Sequence, residues 1–244
     1  MGTYLTWNIR LEFSLGSYFA LLLSFYLLYL YNICNLQEVG MNRTLVILCG
    51  GDSSRMGTKK ALLPFEDKTM VEYIYNKFSP YFDKIYLSVN QRGDLAHLNL
   101  DATEIPDISR NAGPYGAILS SLTMMSGKKA FFMSVDTPFM DPRIAVYLYD
   151  HSDDYDITTF NFSDDNLTIC GVLSKKCIGT LFKGIFYKRA NLSFILNRCN
   201  TNIIDMEEIQ DISVVSMEQQ FYKVNDRNSY YYAVFSILKH NFVC

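Results

Sequence analysis

The segment Leu48 to Phe65, LCGGDSSRMGTKKALLPF, holds the densest group of residues that could do chemistry. Gly50 and Gly51 stand directly after an apolar run, so the backbone there can pass close to a ligand and aim amide hydrogens at phosphate oxygens. Arg55 and Lys60 bring positive charge to the same place. It is not a Walker A loop, because Gly51 and Gly57 enclose five residues rather than four and no Gly-Lys-Ser/Thr follows. ATPase or GTPase chemistry of the P-loop kind is thereby excluded. Glycine content alone would equally describe a turn with solvated basic residues. The order Gly-Gly, Ser, Arg-Met-Gly, Lys and an apolar stop is more specific.

The second segment is Phe132 to Met140, FMSVDTPFM, where an apolar strand delivers Asp136 to its carboxyl end and Thr137-Pro138 turns the chain away. A lone carboxylate there suits a hard cation such as Mg²⁺ whose other ligands are waters and substrate phosphates. The same residue could instead cap a helix beginning near Pro138. Between the two segments lie Asn90, ending a strand in SVNQR, Asp107, and the stretch Gly113-Pro114-Tyr115-Gly116, whose glycines would let a base or ribose approach a helix start. Asp107 is a hydrogen-bond acceptor for a nucleotide or part of an ordinary turn. Late in the chain, FYKVND places Asn225 and Asp226 before a final helix, where either could cap it.

These residues need elements to position them. Apolar runs alternate with amphipathic stretches from Met41 onward, the pattern of βαβ units around a mostly parallel sheet. Strands are expected at Thr44 to Cys49, Lys84 to Val89, Thr103 to Ile105 and Ala130 to Val135. A helix opened by a Thr69–Glu72 capping box buries Val71, Ile74 and Phe78, and another starts at Pro114 and runs to Met125. Further on the pattern predicts a helix near Pro142 to Tyr149, strands near Asp156 to Phe162 and Thr168 to Leu173, helical stretches from Lys176 to Leu196, and a last helix from Arg227 to His240. In such sheets ligands bind beyond the carboxyl ends of the strands, and every polar motif named above falls at such an end.

Composition narrows the classes. A formal charge of −3 gives no basic excess, so a nucleic-acid-tracking surface has little support. Six cysteines without a CxxC pair, and three histidines without ligand spacing, argue against zinc and for buried free thiols in a reducing compartment. The first forty residues differ from the rest: Tyr18 to Tyr31 is almost wholly apolar, and a run of about 20 such residues can span a bilayer. They read as an extension, residues 1–40, ahead of a domain at 41–244. Translation beginning at Met41 is the preferred account, since the domain pattern is whole without the upstream piece. A membrane anchor is the other.

The glycine loop resembles the LxGGxSxRMGxxKxLL signature of the nucleotidyltransferases that build dinucleotide forms of the molybdenum cofactor, MobA-like guanylyltransferases among them. FMSVDTPFM is similar to that family's CDxPF motif, Gly113 to Ile118 to its GPLAGI stretch, and Phe221 to Asp226, weakly, to its N-T-P block. Lys59 departs from the family, which often has an acidic residue just ahead of its lysine. The resemblance implies a Rossmann-like α/β fold of the nucleotide-diphospho-sugar transferase type: a mostly parallel sheet flanked by helices. It also implies a cytoplasmic, Mg²⁺-dependent enzyme, monomeric or weakly oligomeric, that moves GMP from GTP to the phosphate of molybdopterin. Leu48, Cys49, Gly50, Gly51, Lys60, Asn90, Asp107 and Asp136 would bind the nucleotide, with Arg55, Lys60 and Asp136 catalytic, Asp136 on the metal and Asn225 toward the acceptor. The Gly50-Gly51 doublet leans away from cytidylyltransferase relatives, which more often carry alanine then glycine. Transfer from CTP, transfer to a sugar phosphate, and a non-catalytic, membrane-tethered nucleotide binder are the alternatives.

Overall fold

The structure, a computed structural model, describes residues 43–51, 57–109, 112–160 and 170–241, with side chains described as far as 236. All lie in the unit Gly40–Cys244. The apolar run of residues 1–40, and Arg55 within the glycine loop, fall outside the described residues.

Strand β1 (Thr44–Leu48) is buried along its whole length, an unbroken apolar run because both faces of the sheet are covered. A tight hairpin of β2 (Pro64–Phe65) and β3 (Lys68–Thr69), with Glu66 at φ 57°, leads into α1 (Met70–Phe78). The predicted capping box opens that helix: Thr69 Oγ1 accepts the Glu72 amide and Glu72 Oε2 accepts the Thr69 amide at 2.8 Å. Val71, Ile74 and Phe78 are buried as expected. Next come β4 (Lys84–Val89), β5 (Thr103–Pro106), α2 (Gly113–Met124), β6 (Lys129–Ser134) and α3 (Pro142–Asp150). The chain continues through β7 (Ile157–Phe160), β8 (Gly171–Ser174), α4 (Ile178–Phe186), α5 (Leu192–Leu196), β9 (Thr201–Ile204), α6 (Met206–Ile209), α7 (Met217–Gln220) and α8 (Arg227–Asn241).

Seven strands form one sheet in the order β5-β4-β1-β6-β8-β7-β9. The first four are mutually parallel, β8 runs antiparallel to both its neighbours, and β9 is parallel to β7. The sheet is therefore mostly parallel, as the alternating pattern requires. Leu45, Ile47, Phe131 and Met133 join one apolar cluster with the buried faces of α1 and α3. Val46 and Phe132 are equally buried but lie outside that cluster, and α2 packs along β1, β4, β5 and β6. Helix α2 is itself covered by α4, so Gly116 to Thr123 are buried all round. Its hydroxyls return to backbone carbonyls one turn back, Ser120 to Gly116 at 2.9 Å and Thr123 to Leu119 at 2.7 Å.

The helical stretches expected from Lys176 to Leu196 are two helices, α4 and α5, separated where Lys188 takes φ 54°. Other elements lay outside the sequence expectation. The β2–β3 hairpin, β9, α6 and α7 carry no periodicity long enough to have announced them. Among the described residues no helix is long and apolar enough to cross a membrane.

Candidate functional site

The four parallel strands end side by side, and their register pairs Leu48 with Ser88 and Ser134, and Val89 with Pro106. Cys49-Gly50-Gly51, Asn90, Asp107 and Asp136 each follow such an end by one to three residues, so topology alone brings them to one edge of the sheet. The β1 exit is fixed by its neighbours: the Cys49 amide donates to Ser88 O at 2.8 Å, and the Val135 amide to Leu48 O at 3.1 Å. Burial, with Glu104 nearby, pushes the Cys49 thiol well above its ordinary range.

Gly50 packs closely on the Asn90 side chain, whose tip a larger residue would have to displace. A Cβ built there would stand 2.7 Å from Asn90 Oδ1, the atom that accepts the Gly51 amide at 3.3 Å. Gly51 itself has φ 125°, a conformation that other residues rarely adopt. Past the undescribed centre of the loop, Lys60 opens a single helical turn, Lys60–Leu62, seated by buried Ala61 and Leu63. That apolar stop fixes where the lysine leaves the backbone.

Lys60 is the hub. Its ammonium donates to Asp136 Oδ2 at 3.1 Å and to Asn225 Oδ1 at 3.0 Å, joining residues 76 and 165 positions away. Both partners of the ion pair are largely buried, Lys60 being 19% and Asp136 13% exposed by side chain. Asp136 Oδ1 is buried with no hydrogen-bond partner. An unsatisfied buried carboxylate oxygen is costly, and a divalent cation satisfies it, so the donor chemistry fits a hard metal ion. The helix-cap alternative for Asp136 is not realised. The helix begins instead at Pro142, where Asp141 accepts the Arg143 amide at 2.9 Å.

The loop from β6 to α3 is held from two sides. The largely buried Lys77 donates to Pro138 O at 3.3 Å, and burial draws its pKa down to about 8, partly offset by Asp141. From the other side the Val224 amide donates to Asp136 O at 2.8 Å, which brings Asn225 to Lys60. The two candidate roles at this position divide between neighbours: Asn225 meets Lys60, and Asp226 Oδ1 caps α8 by accepting the Ser229 amide at 2.8 Å. Sequence reasoning missed what steadies the segment ahead of them. Ser213 Oγ donates to Asp141 Oδ2 at 2.6 Å, and Gln220 Oε1 accepts the Asp141 amide at 3.2 Å. No spacing in the sequence signals that cross-link.

Asp107 lies at the β5 end but is engaged structurally, since Oδ1 accepts the Ser109 amide at 2.8 Å and Ser120 Oγ at 3.1 Å. Gly116 likewise answers to its own chain, with a Cβ there standing 2.8 Å from Ser109 O. Arg55 lies outside the described residues. Lys59 points away from the hub, its ammonium 2.6 Å from Asp94 Oδ1. Among the described residues no group of three or more His, Cys, Asp or Glu side chains is placed to hold a metal, and Cys49, Cys170, Cys177 and Cys199 are free thiols.

Known proteins resemble this chain in both sequence and fold. A probable molybdenum cofactor guanylyltransferase of Carboxydothermus hydrogenoformans is 26% identical over 170 residues, 70% of this chain and 85% of that protein. One from Flavobacterium johnsoniae is 26% identical over 186 residues, 76% of this chain and 96% of its own length. Among solved structures, the molybdopterin-guanine dinucleotide biosynthesis protein A of Archaeoglobus fulgidus superposes with a TM-score of 0.70 at 18% identity, covering 80% of this chain and 99% of that one. A nucleotidyl transferase from Methanothermobacter gives 0.64 at 13% identity, covering 82% and 100%. The family described as the MobA-like NTP transferase domain matches residues 45–198, from the second residue of β1 to just past α5. Because that match takes in more than half of the chain, with Gly50, Lys60, Asn90 and Asp136 inside it, the chain belongs to the MobA-like NTP transferase family.

Proposed function

We propose that this protein transfers GMP from GTP to the terminal phosphate of molybdopterin, releasing pyrophosphate, with Mg²⁺ held by Asp136. The observation that carries the reading is the Lys60 hub, where a lysine from the glycine loop, a strand-end carboxylate and the late Asn225 meet within hydrogen-bond distance. The relatives' names supply the substrates. An acceptor phosphate oxygen forms a bond to the α-phosphorus of GTP as the bond from that phosphorus to the β-bridging oxygen breaks. The nucleophile is already an anion at neutral pH, so no general base is needed, which accords with a hub built from Lys, Asp and Asn alone.

The chain's part is positioning and charge neutralisation. The Gly50-Gly51 backbone lies beside the triphosphate, with Leu48 and Cys49 bordering it and Arg55 adding charge. Lys60 neutralises phosphate oxygens, Asn90 keeps the glycine loop in place and Asn225 turns toward the acceptor. Asp136, with its unpartnered Oδ1, would hold Mg²⁺, which would supply neutralisation of the charge that builds on the phosphate oxygens. Asp107 acts mainly by shaping the turn beside the nucleotide. The choice of GTP over CTP follows the names of the similar proteins rather than Gly50, which also meets the Asn90 side chain.

The deciding experiment is pyrophosphate release from a panel of GTP, CTP, ATP and UTP, with and without molybdopterin, across a Mg²⁺ titration. Acceptor-dependent release from GTP that EDTA abolishes is expected. Equal or faster release from CTP, or release that ignores molybdopterin, would overturn the assignment.

A further inference from the structure

We propose that residues 90–95 form a strap across the two ends of the glycine loop, and that Asp94 is a positioning residue that selects Lys60 rather than Lys59 to face the phosphates. The proposal rests on the reading of that loop as the triphosphate cradle. At one end Asn90 Oδ1 accepts the Gly51 amide, and at the other Asp94 Oδ1 accepts the Lys59 ammonium. The other Asp94 oxygen takes the Gln91 amide at 3.1 Å, closing the strap on itself. Against the upward pull of burial, these bonds hold the Asp94 carboxyl below its ordinary range.

The strap is also anchored to the sheet. The Glu104 carboxylate on β5 accepts the Gly93 and Leu95 amides, and Leu95 is buried in the core. Asp94 is therefore a fixed counter-charge. Two adjacent lysines compete for one anionic site, and the structure pairs them with different carboxylates, Lys59 with Asp94 and Lys60 with Asp136. Breaking the first pair lets Lys59 contend for the second and loosens the spacing between Gly51 and Lys60.

The test uses the sign of the charge. Asp94→Lys adds positive charge beside a site for a polyanion, so attraction alone predicts a lower KM for GTP. The strap predicts the opposite: KM rising about two- to fivefold, as loss of a partly exposed pair allows, with kcat changed less. The double variant Lys59→Asp/Asp94→Lys restores both net charge and pairing, and KM should return to within about twofold of wild type. Hydrogen exchange at the Gly51 amide should quicken in the single variant and slow again in the double one, with thermal midpoints matched throughout. A lowered or unchanged KM in Asp94→Lys, or no recovery in a folded double variant, would sink the proposal. If the wild-type protein turns over no GTP, the functional reading fails, and Gly51 exchange alone then decides the strap: unchanged exchange in Asp94→Lys refutes it.

Discussion

On the proposed reading the chemistry turns on the Asp136–Lys60 pair, and the two environments predict different failures. Asp136→Asn keeps the volume and the acceptor that meets Lys60 but removes the charge a divalent cation needs, so the fold should persist while pyrophosphate release falls by at least about 10²–10³. Wild-type Mg²⁺-dependent release from a variant with an unchanged melting curve would disprove the assignment. Lys60→Ala removes the only described cation joining Asp136 and Asn225, whereas Lys59→Ala removes one end of a pair at the rim of the loop. GTP turnover should therefore drop about a hundredfold or more in the first and only severalfold in the second. Comparable losses would mean that the wrong lysine faces the phosphates. The placement of this pair was legible because Asp136 follows the end of β6 and Lys60 stands in the glycine-loop motif ahead of an apolar stop. Asp94 was not, because its meaning depends on Lys59, which is 35 positions away and meets it only through the adjacency of β1 and β4.

Among the elements, α1 was read most fully, because a capping box and a helical apolar face are local signals that the tertiary structure has no reason to override. The hydrogen bonds from Thr69, side chain first and then backbone, hold Glu72 below its ordinary pKa of 4.5. Such a group stabilises the fold above its unfolded pKa and loses that contribution as pH falls through the lower, folded value. Thr69→Ala should thus cost about 1 kcal/mol in denaturant unfolding at pH 7, and the gap to wild type should narrow as pH drops below 4.5. A gap that stays constant down to pH 3 would place the stabilisation elsewhere than in the Glu72 interaction. The elements that escaped notice lacked such local signals. Strand β9 is four residues long at the sheet edge and half exposed, and its partner β7 precedes it by more than forty residues. The antiparallel sense of β8 is likewise a property of its neighbours, since an apolar run looks the same in either direction.

At the scale of the whole molecule, the catalytic domain should stand without the first forty residues. The described chain is tied down from its first residue. The Arg43 amide donates to Asp83 Oδ2 at 2.9 Å, its carbonyl accepts the Asp83 and Lys84 amides, and its guanidinium grips both oxygens of Asp150 at the end of α3. Those bonds register β1 against β4 and α3 just before the strand begins, at the edge of the sheet opposite the glycine loop. A chain beginning at Met41 keeps all of them, together with the continuous core of β1, β4, β6, α1 and α3. Such a chain should express in soluble form, melt at the same temperature as the full-length protein, and release pyrophosphate at the same rate per molecule. Loss of folding or activity on removing residues 1–40 would mean that the apolar stretch contributes to the domain, and the boundary at Met41 would be wrong. Fractionation offers the complementary measurement. Full-length protein in the membrane pellet with the shortened chain in the supernatant would make Tyr18 to Tyr31 an anchor, whereas both in the supernatant would leave that run without a tethering role.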